Sequence, residues 1–123
     1  MGSYKLSFGT IKILQNNLAE VIVNDGLVMD LVHVDEYHDF LLTNLDAPFF
    51  LLINKKHSYS YTFEAQKVIG NLKEIKALAV VVGTNGGLMS TETLINMNKD
   101  DNWNIELFQK RDEALVWLEK EIS

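Results

Sequence analysis

Residues 55–62 read KKHSYSYT and hold the densest set of groups able to do chemistry: two lysines, a histidine, two serines, two tyrosines and a threonine. They follow an apolar run, Pro48 to Ile53, and precede FEAQKVIGNL, where Ala65, Val68, Ile69 and Leu72 recur at helical spacing. The pattern predicts a buried strand, a hydroxyl-rich loop and a helix capped by Thr62. Such junctions are where open α/β folds place working groups, because the first helix N–H groups are free and favour anions. The same hydroxyls have a plainer use, since Thr62 satisfies orphan N–H groups and serines populate the loops before caps. Alternation of Tyr59 and Tyr61 would set both rings on one side of an extended segment.

Three other constellations fall short of a site. Asp35 and His38 stand three apart, so they could share a helix face and bind a metal, but no third ligand accompanies them. His38 also lies on the apolar stripe of its segment, which predicts a packed ring hydrogen-bonded to backbone or water. The stretch Gly83-Thr-Asn-Gly-Gly87 follows a strand and precedes a helix as phosphate loops do, yet lacks the Lys-Ser/Thr of a P-loop and the spacing of a dinucleotide fingerprint. His57 and Ser58 are chain neighbours, so in an extended segment they point apart, and no G-x-S-x-G elbow exists. These readings predict a non-enzymatic protein with no catalytic residue, no metal and no cofactor.

Charge bounds the partners. Lys55, Lys56 and His57 beside two tyrosines could stack single-stranded nucleic acid, but a net charge of −6 repels phosphate backbones. The two lysines are expected to be a solvated strand end, and no nucleic-acid partner is expected. At 123 residues, 47 % of them hydrophobic, the chain can bury a core as a single domain, residues 1–123, without metals or disulfides. Absence of cysteine removes thiolate chemistry and fits a reducing compartment. The N-terminus has no basic region followed by an unbroken apolar one, and apolar runs such as Ala77 to Val82 are far too short to span a bilayer. A cytoplasmic protein without a membrane partner is expected.

The elements that position these groups can be read from hydrophobic period. Residues 4–14 alternate loosely with a bend at Gly9, Asn16-Asn17 is a turn, and Leu18 to Val23 forms a returning antiparallel strand. Asp25-Gly26 ends this hairpin. Asp30 caps a helix whose buried stripe is predicted as Val34, Tyr37, His38, Leu41, Leu42 and Leu45. Phe49 to Ile53 is a central strand covered on both faces, followed by the Thr62 helix and a strand over Ala77 to Val82. A helix over about Leu88 to Met97, a strand at Ile105, Leu107 and Phe108, and a helix capped by Asp112 complete the chain. In that last helix Ala114, Leu115, Leu118 and Ile122 face the core, with Trp117 flanking. The predicted order is β-β-α-β-α-β-α-β-α: an α/β fold with a mixed, largely parallel sheet and an antiparallel N-terminal edge hairpin. Phe40, Phe63, Met89, Met97, Trp103 and Trp117 form an apolar surplus that would line a pocket, fill the core or build a homodimer interface.

This order, ending in FQKRDEALVWL, resembles the STAS domain, the fold of bacterial anti-sigma-factor antagonists. Phe108, Asp112, Glu113, Ala114, Leu115 and Leu118 stand where most STAS domains have a short strand, an acidic helix start and an Ala-Leu pair. More narrowly, the chain is similar to small STAS-like proteins of Bacteroidetes-type bacteria. Regulatory members carry a phosphorylatable serine in a D-S-S-G motif at the helix after the central strand. That place falls within HSYSYTFEAQ, where the Asp and Gly are missing and Ser58, Ser60 and Thr62 supply hydroxyls. A phosphoryl group there would sit near a helix N-terminus.

The resemblance implies a regulatory domain acting through an unknown protein partner. Its surface would be the loop Lys55–Tyr61 with the helix start, and Ser58, Ser60, Tyr61 and Thr62 would be the interaction or phosphoacceptor residues. The missing motif residues favour a contact surface over a phosphoacceptor. The competing expectation is a binder of a small apolar ligand or lipid, as in lipid-binding relatives of the fold, with its pocket between the helix at 31–45 and the sheet. A hydrolase using His38 or His57 is the least favoured.

Overall fold

Alternating apolar residues at the start of the chain become three antiparallel strands: β1 (Ser3–Leu6), β2 (Gly9–Gln15) and β3 (Leu18–Val23). The structure, a computed structural model, describes residues 2–83 and 104–123. Where one bent strand is predicted over residues 4–14, the chain reverses at Ser7-Phe8, and Leu6 pairs with Gly9. Gly9 permits this by running against β3, where a Cβ would lie 2.1 Å from the Ile22 carbonyl oxygen. Asn16-Asn17 makes the predicted turn into β3, and Gly26 closes the next one at φ 77°.

The remaining elements are β4 (Val28–Met29), α1 (Leu31–Asn44), β5 (Phe49–Lys55), β6 (Ser60–Tyr61), α2 (Phe63–Val68), β7 (Ile75–Val82), β8 (Ile105–Phe108) and α3 (Arg111–Ile122). The main sheet has the order β1-β2-β3-β5-β7-β8, antiparallel among β1, β2 and β3 and parallel from β3 to β8. The fold is therefore mixed α/β with a mostly parallel sheet and antiparallel N-terminal strands. β4 and β6 pair separately as a parallel ribbon, Val28 with Ser60 and Met29 with Tyr61. Two-residue strands carry no period, so the sequence pattern could not announce them.

Helices cover both faces. On one, Val34, Tyr37 and Leu41 of α1 pack with Phe8, Ile11, Val21, Phe49 and Leu51. On the other, Ala114 and Leu118 of α3 pack on Phe50, Leu52, Ala77, Ala79 and Val81. Odd residues of β5 thus face α1 and α2, and even residues face α3, which makes β5 the doubly covered strand its composition predicts.

Cap chemistry sets the helix starts. Asp30 accepts from the His33 N–H at 3.0 Å, and its own N–H donates to His33 Nδ1 at 3.3 Å. Leu42 departs from the predicted stripe and is 46 % exposed, because positions 34, 37, 41 and 45 already fill the arc facing the sheet. Asp112 is not the cap of α3. Lys110 holds that place without a side-chain hydrogen bond, and Asp112 and Glu113 lie in the first turn, where they complement the helix dipole. α2 is shorter than predicted and ends at Val68, before Gly70. The predicted loop beyond Gly83 and helix over Leu88 to Met97, with Met89, Met97 and Trp103, lie outside the described residues.

Candidate functional site

The segment after β5 divides its side chains by parity. Ser58 and Ser60 point to solvent, while Tyr59 and Tyr61 pack against the core on the α1 face. Backbone bonds hold this arrangement: the Gly26 N–H donates to the Ser58 carbonyl at 2.7 Å and the Ser60 N–H to the Leu27 carbonyl at 3.0 Å. Asp25 Oδ1 accepts from the Ser58 N–H at 3.0 Å. Thr62 is occupied as a cap, its hydroxyl accepting from the Ala65 N–H at 3.2 Å. The hydroxyl cluster of the sequence is thus three things: an exposed serine row, an inward tyrosine pair and a helix cap.

Lys55 is not a solvated strand end. It continues the odd row Phe49, Leu51, Ile53 toward the α1 face and is 3 % exposed. Its Nζ lies 4.7 Å from the Tyr59 ring centroid and 5.0 Å from that of Tyr61. The rings meet edge to face at 5.5 Å and 68°, and the Tyr61 hydroxyl donates to that of Tyr59 at 3.3 Å. Among the described residues, no carboxylate forms an ion pair with Lys55; the pairs present are Arg111–Glu20 and His33–Asp30. Each tyrosine face contributes about 0.5–2 kcal/mol to a cation, whereas burying an ammonium costs several kcal/mol. The tyrosines alone leave that cost partly uncovered.

These groups line a half-open apolar cavity of about 40 Å³ between the sheet and α1, under the β4–β6 ribbon. Val21, Ile53, Leu78 and Val80 form its floor, and Tyr37 and Ile69 its wall. Burial pushes the Tyr37 hydroxyl up from its ordinary value, with a smaller push from Tyr61. Tyr59 is likewise raised, by burial first and then by Tyr61. Both phenols therefore stay protonated and available as donors. Broader clefts of about 320 and 490 Å³ at the opposite end of the strands are open surface, lined by Asn16, Asp46 and their neighbours.

His38 Nε2 lies 2.8 Å from the Ile69 carbonyl oxygen, tying α1 to the chain after α2, as the packed-histidine reading expects. Asp35 is exposed, and among the described residues no group of three possible metal ligands assembles. His57 is half-buried and Lys56 exposed.

The other sheet face holds a second charged cluster, which no local sequence pattern announces. Glu20, 2 % exposed on β3, accepts from Arg111 Nη2 at 2.8 Å and Nε at 3.1 Å, and from Asn54 Nδ2 at 2.9 Å. Burial alone would raise the Glu20 carboxyl, but the hydrogen bonds from Arg111 and Asn54 outweigh it, so the net shift is downward. Arg111 is held above its ordinary value, chiefly by its bond to Glu20.

Comparison with protein-family models, with curated proteins and with solved structures returned no match to this chain. Among the described residues, no helix is long and apolar enough to cross a membrane.

Proposed function

We propose that this domain binds a small molecule in the cavity beneath the β4–β6 ribbon, the second of the two roles expected from the sequence. One observation carries the reading: the polar segment after β5 turns Lys55, Tyr59 and Tyr61 inward, onto a half-open apolar space. A largely apolar cavity with a few convergent polar groups is the usual form of a ligand site. Its place, toward the carboxyl ends of β3, β5 and β7, is also where α/β sheets bind ligands. Methyl NMR with butanol, butyramide and butyrate tests it. At least one should give saturable shifts confined to Val21, Ile53, Val80 and Ile105, and Val80→Phe should abolish them while the protein stays folded. Shifts that are absent or scattered for all three contradict the reading.

Regulation through protein contact is the second reading, favoured by the outer side of the same segment. Ser58 and Ser60 face solvent, Phe63 is 60 % exposed, and Val28, paired with Ser60, is exposed beside them. Ser60→Glu with Phe63→Ala should abolish capture of a partner and leave butyrate binding unchanged. Retained capture would remove this reading.

A further inference from the structure

We infer that the ligand is a small carboxylate with a compact apolar body, its carboxylate paired with Lys55 and accepting a hydrogen bond from the Tyr59–Tyr61 hydroxyl pair. This rests on the cavity being a binding site and names the chemistry that the site selects.

Two features converge on an anion, and a third sets its size. First, Lys55 is a nine-tenths buried cation lining the cavity, without a counter-charge among the described residues. Lysine is almost never so buried unless paired. Second, the cavity has a surplus of donors. The ammonium carries three N–H groups. Whichever of Tyr59 and Tyr61 donates to the other, one O–H proton of the pair is left over. Among the described residues, the Tyr37 hydroxyl has no hydrogen-bond partner, and no carboxylate or side-chain amide lines the space. An acceptor-only group is what such a set leaves unfilled, and a carboxylate is one. Third, the size of the space, about 40 Å³, sets the length of the apolar body rather than its charge and suits a short chain.

The same lysine, if neutral, could condense with an aldehyde: the amine nitrogen bonds the carbonyl carbon and water leaves. Two tyrosine faces against Nζ stabilise the ammonium instead, so the ion pair is the assignment the geometry favours.

The experiment compares butyrate with butyramide, nearly equal in shape and different in charge, on the whole protein by calorimetry or NMR titration at pH 7. Butyrate should bind at least about tenfold more tightly. Lys55→Met should erase that preference. Tyr59→Phe, which keeps the ring and removes one hydroxyl, should reduce it severalfold, and it keeps the test open should Lys55→Met fold poorly. Equal affinity for the two probes overturns the carboxylate assignment while leaving the cavity a binding site. Binding of neither overturns the carboxylate assignment, and if butanol also fails to bind, the cavity reading falls with it. Butyraldehyde with borohydride, which delivers hydride to the imine carbon, supplies the last arm. A reduced adduct on Lys55 without any preference for butyrate would assign the lysine to imine formation and overturn the ion pair.

Discussion

The two faces of the sheet treat a buried charge in opposite ways. On the α3 face, Glu20 has a two-point hydrogen-bonded partner in Arg111 and a further donor in Asn54. On the α1 face, Lys55 has two aromatic faces and a cavity. Both residues sit on interior strands and are almost wholly removed from solvent. A charge whose hydrogen bonds are satisfied within the fold acts as structure, fixing where α3 lies on the sheet. A charge left open toward a cavity is a cost to folding, and the proposed carboxylate ligand would offset it.

Breaking the satisfied side should have the largest effect. Arg111→Met leaves the Glu20 carboxylate buried with Asn54 as its only side-chain donor among the described residues, and should cost ~2–3 kcal/mol in urea unfolding. That is below the full penalty for orphaning a buried ion, because the Arg111 side chain is itself 43 % exposed. A loss under about 0.5 kcal/mol, the scale of ordinary surface changes, would erase the contrast between the faces.

Acid should strike the same side. The folded-state value of Glu20 is depressed below 4.5, so its contribution is complete above that pH and is lost as pH falls through the lower folded value. Glu20→Gln should flatten this acid limb of the stability curve. An unchanged limb in that variant would place the acid sensitivity elsewhere.

Thr62→Ala should cost about 1 kcal/mol, the ordinary worth of a helix cap, and its neighbours should cost less. Ser58→Ala and Ser60→Ala, on exposed side chains, should stay within about 0.5 kcal/mol and leave butyrate affinity unchanged. A change in affinity from either serine would mean that the exposed row communicates with the cavity, and the division of the segment by parity would fail.

Local signals were legible and long-range ones were not. Asp30 and Thr62 read as caps because capping depends on residues three apart. β5 read as a central strand because no polar residue interrupts Phe49 to Ile53. The Glu20–Arg111 pair spans 91 positions, and nothing local distinguishes it from two surface charges. The burial of Lys55 is hidden from the sequence for a related reason. A lysine after an apolar run has the look of a strand end, and only the parity 49, 51, 53, 55 says which way it points. Its burial further depends on the β4–β6 ribbon and the folding back of Tyr59 and Tyr61, which join residues some thirty positions apart. The tyrosine alternation was the one visible sign, and it placed both rings together without showing what they cover.

The most direct test is the melting temperature of ligand-free Lys55→Met against the ligand-free wild type. An uncompensated buried cation replaced by an apolar chain of similar length should raise it by a few degrees, corresponding to about 1 kcal/mol. A fall of similar size would show that the fold itself satisfies Lys55, and the contrast between the two faces of the sheet would be wrong.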